Sequence, residues 1–146
     1  NAEVVATDTH AEALHLAREN AVLNAMEGRV RWLVSDWFSD LAGETFELIV
    51  SNPPYLSETE VAEAAPEVRE HEPRAALTPG GDGLGALRTI LGSAGAHLAP
   101  GGLLALETGI AQHATLLPIA AQHGWLSVES RPDLTGRERY VFARKG

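Results

Sequence analysis

The 146-residue sequence contains no cysteine. That excludes a disulfide framework and any cysteine-ligated metal site. Its six histidines are scattered, with no HxxxH or HExxH pair, so a histidine metal site is not expected either. No apolar run approaches the roughly 20 residues needed to span a bilayer. The chain opens on Asn1-Ala2-Glu3 without a basic region of the kind that starts a signal peptide, which fits a cytoplasmic protein. A basic excess is also missing. The net charge is −9, so the broad positive footprint of an avid nucleic-acid binder is not there, and the charge reads first as solubility. What remains is an ordinary globular composition, 45% hydrophobic and 21% charged, at a length that suits one core.

Alternation and spacing supply the elements. Glu3–Thr7 reads as a short buried strand ending at Asp8. Thr9 and Glu12 match a capping box, Leu14, Ala17 and Ala21 follow at helical spacing, and Gly28 is the expected stop. Val30, Trp32 and Val34 alternate toward Ser35-Asp36-Trp37, with Trp32 the better core candidate. Phe46–Val50 forms a third strand. Residues 56–81 read as a long, acidic, proline-punctuated loop with room for one short helix near 58–65. Leu84, Leu87, Leu91, Ala94 and Leu98 make an amphipathic helix, ended by Pro100-Gly101-Gly102. Leu103–Glu107 is apolar enough to be buried on both faces. A helix over 111–123 should kink or split at Pro118, and 125–130 and 139–143 read as a closing antiparallel pair. Strands alternating with helices predict an α/β fold, Rossmann-like, with a mostly parallel sheet and an antiparallel C-terminal hairpin.

In such a sheet ligands bind outside the carboxyl ends of the strands. The predicted strands end in Asp8, Asp36-Trp37, Asn52 and Glu107, and this clustering says more than any one residue. Asp8 suits a ribose hydroxyl as well as it suits the dipole of the helix that follows. Asp36-Trp37 reads equally as an adenine site and as a core tryptophan beside a capping aspartate.

Ser51-Asn52-Pro53-Pro54-Tyr55 is the informative stretch. Two prolines cannot continue a strand, because each lacks an N–H and fixes φ. Asn52 offers an amide carbonyl and Pro53 a free backbone carbonyl, in a stiff turn with Tyr55 as a wall. Two adjacent acceptors can grip a planar –NH2 group. An isolated Asn-Pro would be only a structural turn. The full NPPY after a hydrophobic strand resembles motif IV of methyltransferases that use S-adenosylmethionine on planar nitrogens. "VVATDTHAEALHLARENA", "SDWFSDL", "FELIVSNPPYLSE", "HEPRAALTPGGDGL", "GGLLALETG" and "GRERYVFARK", in that order, resemble the protein-(glutamine-N5) methyltransferase family, whose best-known branch acts on peptide chain release factors.

The resemblance implies a class I S-adenosylmethionine-dependent methyltransferase fold, with Asp8 on the cofactor ribose and Trp37, with Asp36, at the adenine. It implies that Asn52 touches cofactor and substrate, and that Asn52, Pro53, Pro54 and Tyr55 hold the glutamine amide. The family's glycine-rich first motif has no counterpart before Asp8. Residues 1–146 are therefore expected to be part of a catalytic domain, from its second strand onward, missing its first strand and inactive by themselves. A nucleic-acid methyltransferase on adenine or guanine amines would use the same NPPY chemistry. A non-catalytic α/β binding module is the third possibility. For lesser positions, Glu107 reads first as a structural acid and Glu72-Pro73-Arg74 as a channel edge or a loop-anchoring salt bridge. His71 reads as a solvated loop residue ahead of a site residue, and Arg137 and Arg139 as pins of the last hairpin or partners of an acidic neighbour.

Overall fold

Val4–Asp8 (β1) pairs in parallel with Val30–Val34 (β2), in the register Val4↔Val30 to Asp8↔Val34. The computed structural model describes residues 2–146, so Asn1 lies outside it. The chain divides into a first unit ending at Glu44 and a second running Thr45–Gly146. Among the described residues no helix is long and apolar enough to cross a membrane.

Within the first unit, helix α1 (Ala11–Leu23) joins β1 to β2 and buries Leu14 and Ala21. The predicted capping box does not form; the N-cap is His10, without a side-chain cap. Asp8 Oδ1 instead accepts the His10 N–H at 2.8 Å, and Thr9 Oγ1 lies 3.0 Å from His10 Nδ1, so the helix starts one residue late. Its end also differs from expectation. Ala25 N donates to the Val22 carbonyl at 3.0 Å and Met26 N to the Ala21 carbonyl at 2.8 Å, the paired bonds of a Schellman motif. Ala25 therefore holds the left-handed position, at φ +53°, while Gly28 sits beyond it in a 3-10 turn. Trp32 is half-buried rather than fully buried, and Val34 is exposed.

The second unit carries a four-stranded sheet, with Phe46–Ser51, Leu98–Glu107, Glu138–Arg144 and Ser127–Pro132 side by side in that order. Phe46–Ser51 (β3) runs parallel to Leu98–Glu107 (β4). Glu138–Arg144 (β6) is antiparallel to β4 and to Ser127–Pro132 (β5), giving the predicted closing pair. Leu104 and Leu106 of β4 and Val141 and Ala143 of β6 are fully buried, two residues apart as one sheet face requires. Gly85–Ser93 (α5) and His113–Gln122 (α6) contribute Leu87, Ile90, Leu91, Leu116 and Ala120 to the same core. Each such leucine contributes roughly 1.5–3 kcal/mol of transfer free energy.

Several boundaries differ from the sequence reading. The amphipathic helix stops at Ser93; Ala94–His97 is a 3-10 turn, and Leu98 already belongs to β4. Pro100 and Gly101 lie within β4, where the pairing jumps from Phe46↔Leu98 to Leu48↔Leu103, so the extra residues bulge instead of ending a helix. β4 is fully buried on one face only, since Leu103 and Ala105 are half-exposed. Helix α6 runs through Pro118 as one element. Residues 56–81 hold three short helices, Glu58–Glu63 (α2), Pro66–His71 (α3) and Arg74–Leu77 (α4), where one was expected. A capping box between Ser57 and Glu60 starts α2, and Pro66 opens α3 at the position where its missing N–H does no harm.

Candidate functional site

In the first unit Asp8 closes β1. Its side chain is 43% exposed, with Oδ1 on the His10 N–H. Ser35 N donates to the Asp8 carbonyl at 3.0 Å, so the turn after β2 starts level with Asp8. Asp36 is exposed, and its carboxylate has no partner among the described residues. Trp37 follows at φ +51°, a conformation that costs a bulky residue on the order of 1–2 kcal/mol. Buried Ser35 holds it there: Ser35 Oγ donates to the Trp37 carbonyl at 3.1 Å and accepts the Asp40 N–H at 3.2 Å. Asp8, Asp36 and Trp37 are thus brought to one end of the β1–β2 pair.

In the second unit β3 ends at Ser51 and the NPPY turn begins. Pro53 is buried, Pro54 and Tyr55 are half-buried, and Asn52 is exposed. Neither the Asn52 side chain nor the Pro53 carbonyl has a hydrogen-bond partner among the described residues. Both acceptors are free, in a turn whose backbone is held tightly. Gln112 Nε2 donates to the Tyr55 carbonyl at 2.8 Å, while Gln112 Oε1 accepts the Gly109 N–H at 2.9 Å. Leu56 N donates to the Leu77 carbonyl at 3.0 Å. Gly83, at φ +76°, presses against the same backbone: a Cβ there would lie 2.3 Å from the Tyr55 carbonyl oxygen.

Tyr55 reaches the end of β4, where its hydroxyl donates to Glu107 Oε1 at 3.0 Å. Burial, reinforced by Glu107, pushes the phenol above its usual range, so Tyr55 is neutral at ordinary pH. Glu107 thus holds the Tyr55 hydroxyl. Arg74 forms an ion pair with Glu58, the loop-anchoring alternative, and His71 is exposed. Arg137 pins the last hairpin through Asp133, at 3.0 Å from Nε to Oδ2. Arg139 instead donates to the Tyr55 hydroxyl at 3.2 Å.

Sequence reasoning missed Gln112 and Gly83. Gly83 carries a faint signal, the glycine-rich Pro79–Gly85 stretch that implies left-handed backbone somewhere within it. Gln112 carries none, since its partner lies 57 residues away.

The family model "Methyltransferase small domain" matches residues 1–84. The chain is 47% identical over 140 residues to the release factor glutamine methyltransferase of Cereibacter sphaeroides, covering 96% of this chain and 50% of that protein. It is 49% identical over 144 residues to that of Deinococcus radiodurans, covering 99% and 50%. The chain thus spans about half the length of the curated relatives it matches. A methyltransferase structure from Pyrococcus furiosus superposes with a TM-score of 0.66 at 24% identity, over 99% of this chain and 63% of that one. The fold is the Rossmann-like class I methyltransferase fold. With more than half its length matched by the family model, the chain belongs to the methyltransferase small domain family.

Proposed function

We propose that this chain is the part of a catalytic domain, from its second strand onward, that methylates the side-chain amide nitrogen of a glutamine. The substrate is a peptide chain release factor, the methyl donor is S-adenosylmethionine, and the setting is the cytoplasm, without direct contact to nucleic acid. One observation carries the reading: two adjacent acceptors, Asn52 Oδ1 and the Pro53 carbonyl, stand unpartnered in a turn braced by Gln112, Leu77 and Gly83. The names of the relatives at 47% and 49% identity support the substrate assignment.

The residues present fit the donor. Asp8 keeps carboxylate oxygen in reach of solvent for ribose hydroxyls, and the free Asp36 carboxylate can accept from an exocyclic amine beside the Trp37 indole. When bound, S-adenosylmethionine supplies a methyl group already activated by its sulfonium. What the protein must do is prepare the nitrogen. An amide nitrogen is a poor nucleophile because its lone pair is delocalised, a resonance on the scale of the roughly 18–20 kcal/mol rotation barrier. Asn52 Oδ1 and the Pro53 carbonyl each accept one N–H, which fixes the amide plane and favours the positive charge that develops on nitrogen. The methylated nitrogen then releases its extra proton to solvent, so no strong base is needed. Pro54 stiffens the turn and Tyr55 walls it.

The test is methyl transfer to a release factor, with RNA and DNA offered in parallel, by the protein as its gene encodes it. Transfer to a release-factor glutamine is expected. Asn52→Ala should reduce the rate by about 10²–10³, the loss typical of one preorganised polar partner. Transfer to nucleic acid alone, or near-normal turnover by Asn52→Ala, would overturn the reading.

A further inference from the structure

Glu107 and Arg139, from two neighbouring strands, meet at the Tyr55 hydroxyl. β4 and β6 pair so that Glu107 lies opposite Tyr140, which puts Arg139 one residue from the acid's partner. A phenol has one proton to give, and here it goes to Glu107 at 3.0 Å; the oxygen accepts from Arg139 Nη1 at 3.2 Å. The guanidinium carbon also lies 6.0 Å from the ring centroid, within range of a cation–π contact. Arg139 is itself anchored. Its Nη1 reaches the Thr108 carbonyl at 3.4 Å, and its own carbonyl accepts the Thr108 N–H at 2.9 Å. The opposite end of Tyr55 is held separately, by Gln112 on its carbonyl. The backbone that presents Asn52 and Pro53 therefore does not depend on Arg139, while the direction of the Tyr55 ring does.

We propose that Arg139 is a positioning residue: with Glu107 it fixes the Tyr55 ring as a rigid wall against which the amide to be methylated is aligned. This rests on the function proposed above. Because its proton is committed to Glu107, Tyr55 acts by shape and not as an acid or base. Disturbing the ring should therefore slow the aligned reaction without weakening the donor site.

The experiment is a double-mutant cycle in the protein as its gene encodes it, with a glutamine-bearing release-factor peptide as substrate. Tyr55→Phe and Arg139→Met should each lower kcat by about tenfold, the scale of one lost hydrogen bond. The double variant should be no slower than the worse single, because both remove the same contact. The KM for the methyl donor should stay unchanged. Losses that multiply, or a loss that falls in the donor KM, would overturn the proposal. Arg139→Gln, which is shorter and uncharged but polar, replaces Arg139→Met if the latter does not fold. A second readout needs no activity. The phenolate absorbance that Tyr55→Phe removes reports Tyr55 itself, and removal of the Arg139 cation should move that component to higher pH. A shift without glutamine methylation would overturn the functional reading. Methylation without a shift would overturn the role of Arg139.

Discussion

Two small residues show how much one backbone conformation decides. Gly83 and Ala25 both sit at positive φ, +76° and +53°, but in opposite circumstances. A Cβ on Gly83 would strike the Tyr55 carbonyl oxygen at 2.3 Å and the Leu56–Ser57 peptide at 2.9 Å. None of these atoms can withdraw, because the carbonyl is held by Gln112 and Leu56 N by Leu77. Gly83→Ala therefore adds left-handed strain to a backbone collision, and should destabilise the fold by about 3 kcal/mol. Activity should fall with it, as the NPPY turn is displaced. Ala25 is the converse. It occupies the exposed position after α1 where glycine is preferred. Ala25→Gly should stabilise by about 1 kcal/mol. Urea unfolding of both variants checks the pair; equal and small effects would mean that local backbone strain is not what separates them.

At the scale of elements, His113 joins four segments. From the start of α6 its Nε2 lies 2.7 Å from Thr108 Oγ1 past the end of β4, and its Nδ1 lies 2.8 Å from Ser130 Oγ on β5, which donates in turn to Glu138 on β6. Burial lowers the His113 pKa, opposed by the Glu138 carboxylate 3.9 Å away. A folded value below the unfolded one means that the unfolded chain takes up the proton first. The joint is then fully stabilising above about 6.5 and loses ground as pH falls from there through the folded value. The stability gap between wild type and His113→Gln should narrow as pH drops from 8 to 5; a constant gap in urea midpoints would sink this account. None of this joint was legible in the sequence, since Thr108, His113, Ser130 and Glu138 become neighbours only when the sheet forms. By contrast β1, β2, β3 and the β5–β6 pair were legible, because alternation and polar strand ends are local signals. The breaks in 56–81 were half legible: Ser57-x-x-Glu60 is a capping box in plain sight, but the acidic, proline-rich composition suggested a loop. Pro100-Gly101 misled in the other direction, because a bulge lets both residues ride inside β4. The NPPY turn was readable as a pair of acceptors, while the groups that brace it, Gln112, Gly83 and Arg139, come from distant parts of the chain.

For the whole molecule, the two units differ in how much core each contains. In the first, among the described residues, only Leu14, Ala21 and Leu41 are buried apolar side chains, and the single pair β1–β2 leaves Val4 and Val34 about half exposed. The second buries Leu87, Ile90, Leu91, Leu98, Leu104, Leu106, Leu116 and Val141 essentially completely, on two strands and two helices. Apolar burial is the main favourable term, and backbone ordering opposes it at roughly 1–2 kcal/mol per residue. Three buried side chains offset little of that for a segment of some forty residues, so opening of the first unit should need far less free energy than opening of the second. Amide hydrogen exchange on residues 1–146 reads this directly. Amides of β1, α1 and β2 should exchange well before those of β4 and β6, the latter set reporting the global stability. Asp8, Asp36 and Trp37 all lie in the weaker unit, so adding S-adenosylmethionine to the protein as its gene encodes it should slow exchange there first if these residues hold it. Equal protection of the two units before any addition would mean that the buried residues named here do not govern stability, and the contrast in cores would lose its force.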